Sequence, residues 1–224
     1  TIVYYANPNS SCLVEKDEEP PHDLDHNAKD TALLIGSALN SKIFNEVHVM
    51  RKTVIDGSNT SGFQRTMLIA QGGHIEVEGK KVGVQSICLE EDAAKIIRDE
   101  DNKRFFSLDR LGVPLVEIAL EPVADGAETV RNIALTLGRL LRVTKKVARG
   151  IGSIRQDVNI SIAGGGIIEV KGVQQLDQLE KIIEFEAKRQ HGLKIISERI
   201  RLTSTGDIEK NNDIFVITDL LKNC

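Results

Sequence analysis

The chain has 224 residues, 41% hydrophobic and 28% charged, with a formal net charge of -4. That is enough apolar material for one large domain, or one domain with the edge of another, and the acidic balance excludes a chain that is by itself the electrostatic footprint of a nucleic-acid binder. Cys12, Cys88 and Cys224 are distant, odd in number and without CxxC spacing, so neither a disulfide framework nor a zinc site is indicated, which suits a reducing cytosol. The chain opens on the strand-like Ile2-Val3-Tyr4-Tyr5, as expected of a piece cut from a longer protein. Residues 7 to 23 are polar, acidic and proline-bearing, hence a loop. Asp25 is a helix N-cap, and Ala28, Ala32, Ile35 and Leu39 form the apolar stripe of a helix ending near Asn40. Val47 to Met50 alternates as a strand. The loop DGSNTSGFQRT, Asp56 to Thr66, offers backbone N–H groups and hydroxyls suited to phosphate or ribose, although most such loops are only turns. Gln64 to Ala70, His74 to Glu78 and Val82 to Leu89 read as a meander of strands turning at Gly72-Gly73 and Gly79, and so predict antiparallel sheet.

Two acidic stations follow in apolar surroundings, Glu90-Glu91-Asp92 and Glu117. Leu115 to Leu120 reads as a strand buried on both faces, where an ionised carboxylate needs a cation or a donor. A metal ion and an arginine both meet that need. Asp125 and Glu128 form a capping pair for a helix whose face is lined by Val130, Ile133, Leu137 and Leu140, ending near Arg142.

In SIRQDVNISIAGGGIIEVKGVQQ, Ile154, Val158, Ile160 and Ile162 share one strand face and Arg155, Asp157, Asn159 and Ser161 the other. A loop of Gly164-Gly165-Gly166 predicts Ile162 opposite Ile168 and Ile160 opposite Val170, which sets Asn159 beside Lys171. The hairpin thus presents Arg155, Asp157, Asn159, Ser161, Glu169 and Lys171 on one surface, either a binding surface or a solvated sheet face. Leu176, Leu179, Ile183 and Ala187 stripe a last helix to about Gln190. Neither nucleotide motif is complete. Gly73 and Gly79-Lys80 lie one residue too far apart for a Walker A loop, and Arg155 stands where a GxGxxG from Gly150 needs its third glycine.

The segments Glu46 to Thr66, CLEEDAAK (Cys88 to Lys95), LDRLGVPLVEIALEP (Leu108 to Pro122), SIRQDVNISI (Ser153 to Ile162) and Glu169 to Gln190 together resemble the GatB/GatE family of tRNA-dependent amidotransferase subunits. DGSNTSGFQRT and CLVEKDEEPPH (Cys12 to His22) look like the archaeal E branch; the bacterial B branch carries a YPDLP-type segment in the corresponding place. The resemblance implies an α+β fold, largely antiparallel sheet with packed helices, in a cradle-type catalytic domain. It implies residues 1 to 200 as the central part of that domain and 201 to 224 as the start of an inserted one. It further implies a ligase that uses ATP and Mg2+ to phosphorylate the glutamate of Glu-tRNA(Gln) and then amidates it with ammonia from an asparaginase-like glutaminase, the D subunit of the same amidotransferase. By motif position Glu90 and Glu117 are the family carboxylates at the metal and phosphate site. Glu91 is a further candidate metal ligand, although a strand turns Glu90 and Glu91 to opposite faces and only one can join Glu117. Arg155, Asp157, Asn159 and Lys171 are the residues expected to contact the nucleotide. The family's N-terminal GLExH-type motif and its helical tRNA-binding domains are not in this sequence, so the chain alone is expected to be inactive; a module that only docks tRNA or glutaminase is the alternative.

Overall fold

The computed structural model describes residues 1–9, 11–150 and 152–203. They form two compact units, divided between Ile154 and Arg155. The expected start of an inserted domain lies beyond Thr203 for all but its first three residues, and so outside the described residues.

The first unit is built on a six-stranded sheet whose strands are β2 (Lys42–Ile43), β3 (Met50–Thr53), β4 (Phe63–Gln71), β5 (His74–Val77), β6 (Lys80–Glu91) and β9 (Pro114–Leu120). Their order is β2-β4-β6-β5, with β3 also paired to β4 and β9 to β6. All these pairings are antiparallel, as the meander predicts. The long β6 is the spine. Its start pairs with β5, and the rest runs between β4 and β9.

Strand alternation gives this sheet two unlike faces. Met67, Ile69, Ile87 and Leu89 point to one side and are fully buried against Ala32, Ile35 and Leu39 at α1 (His26–Ala38) and its C-cap. Ile133 of α2 (Ala127–Val143) joins the same core with Leu137, Leu140 and Leu141 packed around it. Asp25 caps α1 as expected, accepting a hydrogen bond from the Ala28 N–H at 2.9 Å. Asp125 does not cap α2. Gly126 holds the N-cap position, and Asp125 instead accepts a hydrogen bond from Lys80 Nζ at 2.9 Å.

A second sheet of the same unit was not legible in the sequence beyond its first strand. It comprises β1 (Ile2–Tyr5), β7 (Lys95–Glu100) and β8 (Lys103–Ser107), in the order β1-β8-β7. β7 and β8 are antiparallel around a two-residue turn, Asp101-Asn102, in which both residues have positive φ. That pair is the turn chemistry a tight hairpin requires. β1 lies parallel to β8, and Tyr4 stacks on the buried Phe106.

This small sheet pins the DGSNTSG loop, which therefore is not the open phosphate cradle its composition suggested. Tyr4 Oη donates to the Gly57 carbonyl at 2.7 Å, and the Ala94 N–H donates to the Ser58 carbonyl at 2.8 Å. Ser58 N–H is taken by Asp56, and Gly62 N–H by the Asn59 carbonyl. Gly57 has φ +84, the left-handed region that favours glycine, and a Cβ there would also meet the end of the Ile2 side chain. These donors serve the loop's own turns.

The second unit contains β10 (Gln156–Ile160), β11 (Ile168–Val173) and α3 (Leu176–Thr203). The hairpin forms, but in a register two residues away from the expected one: Asn159 faces Glu169 and Ile160 faces Ile168. The turn is wider than three glycines because Gln190 of α3 occupies it, donating to the Ile160 carbonyl at 3.0 Å and accepting from the Ile162 N–H at 3.3 Å. A two-residue shift preserves facing, so Ile160 stays buried and Arg155, Asp157, Asn159 and Ser161 stay exposed. α3 runs past the expected end near Gln190, through Gly192, to Thr203.

Candidate active site

Glu90 is the only carboxylate among the buried residues of the described chain, with 8% of its surface exposed. It lies at the end of β6 opposite Thr66 of β4 and Leu115 of β9. Two residues back, Cys88 lies opposite Glu117. Directly paired residues of an antiparallel sheet share a face, as do residues two apart, so Glu90, Cys88, Glu117 and Thr66 all stand on the face away from the helical core. Gln64 and, one strand further out, Lys52 complete the row, because Lys52 pairs with Gln64.

The contacts agree with this register. Thr66 Oγ1 donates to Glu90 Oε1 at 3.0 Å, and Gln64 Nε2 approaches Oε2 at 3.5 Å while also donating to the Glu91 carbonyl at 2.5 Å. Lys52 Nζ lies 3.2 Å from Oε1 and 3.5 Å from Oε2. A buried carboxylate needs both hydrogen-bond donors and a counter-charge, and here it has both. Burial, then the nearby Glu117 and Glu90 charges, push the Cys88 thiol above its ordinary range, and Lys52 works against them.

Glu91 does not belong to this group. It turns to the core side, where the Arg65 guanidinium binds it through Nε at 2.8 Å and through Nη2; Arg65 Nη1 also donates to the His22 carbonyl. The expected metal set of Glu90, Glu91 and Glu117 is therefore not assembled. Successive residues of a strand face opposite ways, and among the described residues no group of three His, Cys, Asp or Glu side chains is placed to hold a metal. Nor is β9 buried on both faces. It pairs only with β6, and Glu117 is exposed.

Magnesium makes modest demands of a protein when phosphates accompany it: one or two carboxylates, with waters and phosphate oxygens completing the octahedron. Glu90 and Glu117, hard oxygen donors on one open face, fit that use. They do not amount to a closed protein cage.

Arg155, Asp157, Asn159 and Lys171 belong to the second unit. All four are exposed; Asp157 Oδ1 accepts from the Gly172 N–H at 3.1 Å, and Lys171 Nζ lies 3.3 Å from Glu169. Sequence reasoning missed Lys52, Gln64 and Thr66. The signal available for the last two was alternation: Gln64, Thr66 and Leu68 are out of phase with the core residues Met67 and Ile69. Lys52 has no such signal, because its place depends on how β3 pairs.

The chain matches the GatB/GatE catalytic domain family over residues 4–215. It is 50% identical to the E subunit of the glutamyl-tRNA(Gln) amidotransferase of Archaeoglobus fulgidus, over 98% of this chain and 35% of the relative. The proteins of that name from Methanococcus maripaludis and Sulfolobus acidocaldarius are 51% and 52% identical, over 99% and 88% of this chain and 34% and 31% of theirs. The chain thus spans about a third of the length of the curated relatives it matches. Among the described residues no helix is long and apolar enough to cross a membrane.

Proposed function

We propose, from the premise that this chain belongs to the GatB/GatE catalytic domain family, that it carries the phosphoryl-transfer face of the E subunit of an archaeal-type glutamyl-tRNA(Gln) amidotransferase. The observation that carries the reading is the buried Glu90, sharing an open sheet face with Glu117 and held by Thr66, Gln64 and Lys52. The substrates are ATP and a tRNA bearing glutamate, with ammonia supplied by a glutaminase, the D subunit, and the setting is the reducing cytosol that suits the free Cys12 and Cys88.

A carboxylate is a poor electrophile, and magnesium-bound ATP would supply the phosphoryl group that makes the substrate's side chain an acyl phosphate open to ammonia. Phosphoryl transfer asks a protein mainly for position and charge neutralisation. Glu90 and Glu117 would be the residues that hold the metal, from one face. Thr66 and Gln64, neutral donors on the neighbouring strand, fix the orientation of the Glu90 carboxylate without competing for its charge. Lys52 adds a cation at the same place, suited to phosphate oxygens. Arg155, Asp157, Asn159 and Lys171 are proposed nucleotide contacts of the second unit.

The test is Glu117→Ala in the full-length protein with its glutaminase partner. Glu-tRNA-dependent ATP cleavage is expected to be lost, while tRNA affinity stays within about tenfold, or 1.4 kcal/mol. ATP cleavage at the wild-type rate would remove Glu117 from the site.

A further inference from the structure

The partners of Glu90 are of two kinds. Thr66 and Gln64 are short, neutral and anchored on β4, the strand hydrogen-bonded directly to β6, and Gln64 is fixed a second time by the Glu91 carbonyl. Lys52 comes from β3, one strand further out, on a four-carbon stem. Its side chain is 50% exposed, whereas the Glu90 side chain is 9% exposed. The carboxylate thus has neutral donors anchored on the adjacent strand and a counter-charge on a long, half-exposed side chain.

We propose that Lys52 is a resident counter-cation at the Glu90 seat, displaced when a divalent ion binds there. This rests on the reading that Glu90 and Glu117 hold magnesium. Lys52 Nζ stands within 3.2–3.5 Å of both Glu90 oxygens, where a divalent ion on the same oxygens would meet its positive charge at close range. The ammonium must therefore give way. The hydroxyl and the amide need not, since they carry no net charge and already set the direction of the carboxylate. A displaced Lys52 keeps its charge on the same open face, where a strongly hydrated, mobile ammonium suits an exchangeable role better than a fixed guanidinium fork would. Without metal, the half-exposed ammonium adds a water-screened counter-charge to a carboxylate that already has the Thr66 and Gln64 donors.

Removing a positive charge from the site should then tighten metal binding by more than the general electrostatic gain of one fewer cation on an exposed surface. If Lys52 occupies the seat about nine-tenths of the time, the apparent metal affinity of the resting protein is lowered about tenfold.

The experiment is Mn2+ binding to the full-length protein without nucleotide, read as the loss of the free-ion electron paramagnetic resonance signal, at a pH where lysine stays protonated. Lys52→Met is expected to bind Mn2+ about tenfold tighter than wild type. Lys52→Arg, which keeps the charge and grips a carboxylate with two donors, is expected to bind equally or more weakly. A charge control, Lys80→Met at the exposed Lys80–Asp125 pair, should change affinity by less than about twofold. Should Lys52→Met fold poorly, as judged by its thermal transition, the Lys52→Arg arm still decides, since tighter binding there overturns the proposal. Unchanged or weaker Mn2+ binding by folded Lys52→Met, with binding lost in Glu90→Gln, overturns it as well and leaves the metal seat standing. Binding that Glu90→Gln does not alter would instead overturn the reading that places the metal at Glu90.

Discussion

Glu90 and Glu91 are neighbours in sequence with the same side chain, yet the two faces of β6 put them to opposite uses. Glu91, 24% exposed, is clamped by an arginine that is itself 14% exposed and also tied to the His22 carbonyl. Glu90, more deeply buried, is paired with a lysine whose side chain is half in solvent. Burial alone therefore does not separate the locked carboxylate from the one proposed to hold the metal. What differs is whether the counter-charge can leave. On the core side the guanidinium fork locks the chain that precedes α1 onto the sheet. On the open side, neutral donors hold the carboxylate and its charge partner reaches solvent, as the proposed exchange of Lys52 requires.

This contrast can be broken most forcefully through the core that defines the two faces. Leu89, just before the two glutamates, is fully buried in the core that α1 covers. Leu89→Ala is expected to cost about 2–5 kcal/mol in urea unfolding, whereas Cys88→Ala, one residue away on the open face, should cost less than about 1.5 kcal/mol. Equal losses would mean that the faces are not as unlike as the register makes them.

The two ion pairs offer a finer test. Arg65→Met leaves a largely buried Glu91 without its cation and should cost about 1–3 kcal/mol, the partial exposure of the pair keeping it below the cost of a fully buried one. Lys52→Met should cost no more than about 1 kcal/mol, because the half-exposed ammonium it removes is already screened by water and Glu90 retains Thr66 and Gln64. Measured by the same denaturant titration, a reversed order would contradict the division into a locking pair and an exchangeable one.

The smallest effect is chemical. Because burial and the Glu117 and Glu90 charges hold the Cys88 thiol above its ordinary pKa, it is less ionised at a given pH than an unperturbed thiol, and it is also less accessible than exposed Cys12. Iodoacetamide labelling followed by peptide mass spectrometry should find Cys12 modified first near pH ~8. Cys88 should catch up only at more alkaline pH, and Glu117→Gln should bring its labelling to lower pH by removing one of the raising charges. Early labelling of Cys88 would place it in a more positive environment than the geometry gives.

Much of this organisation could be read without coordinates. The strand QSICLEE alternates Ser86, Cys88, Glu90 against Ile87, Leu89, Glu91, so the phase that separates the two glutamates is present in one short stretch. The Asp25 cap, the apolar stripe of α1 and the exposed polar row from Arg155 to Ser161 are likewise local patterns, and each appears in the structure.

Other features had no local trace. Asp125 has the spacing of a cap, but Lys80 at the start of β6 captures it, because a charged partner across space competes with a backbone N–H nearby. The hairpin slipped by two residues because Gln190, 30 positions away from Ile160, claims the backbone groups at its turn. The parallel pairing of β1 with β8 joins Ile2 to Arg104, across nearly half the chain. The sequence by itself determined which residues of each strand face together, since a period of two is written into the chain. Only the tertiary structure decided which strand lies beside which, and so brought Lys52 from β3 to Glu90 on β6: strand pairing is a choice among distant segments, made by the packing of the whole sheet against its helices and by no single stretch of sequence.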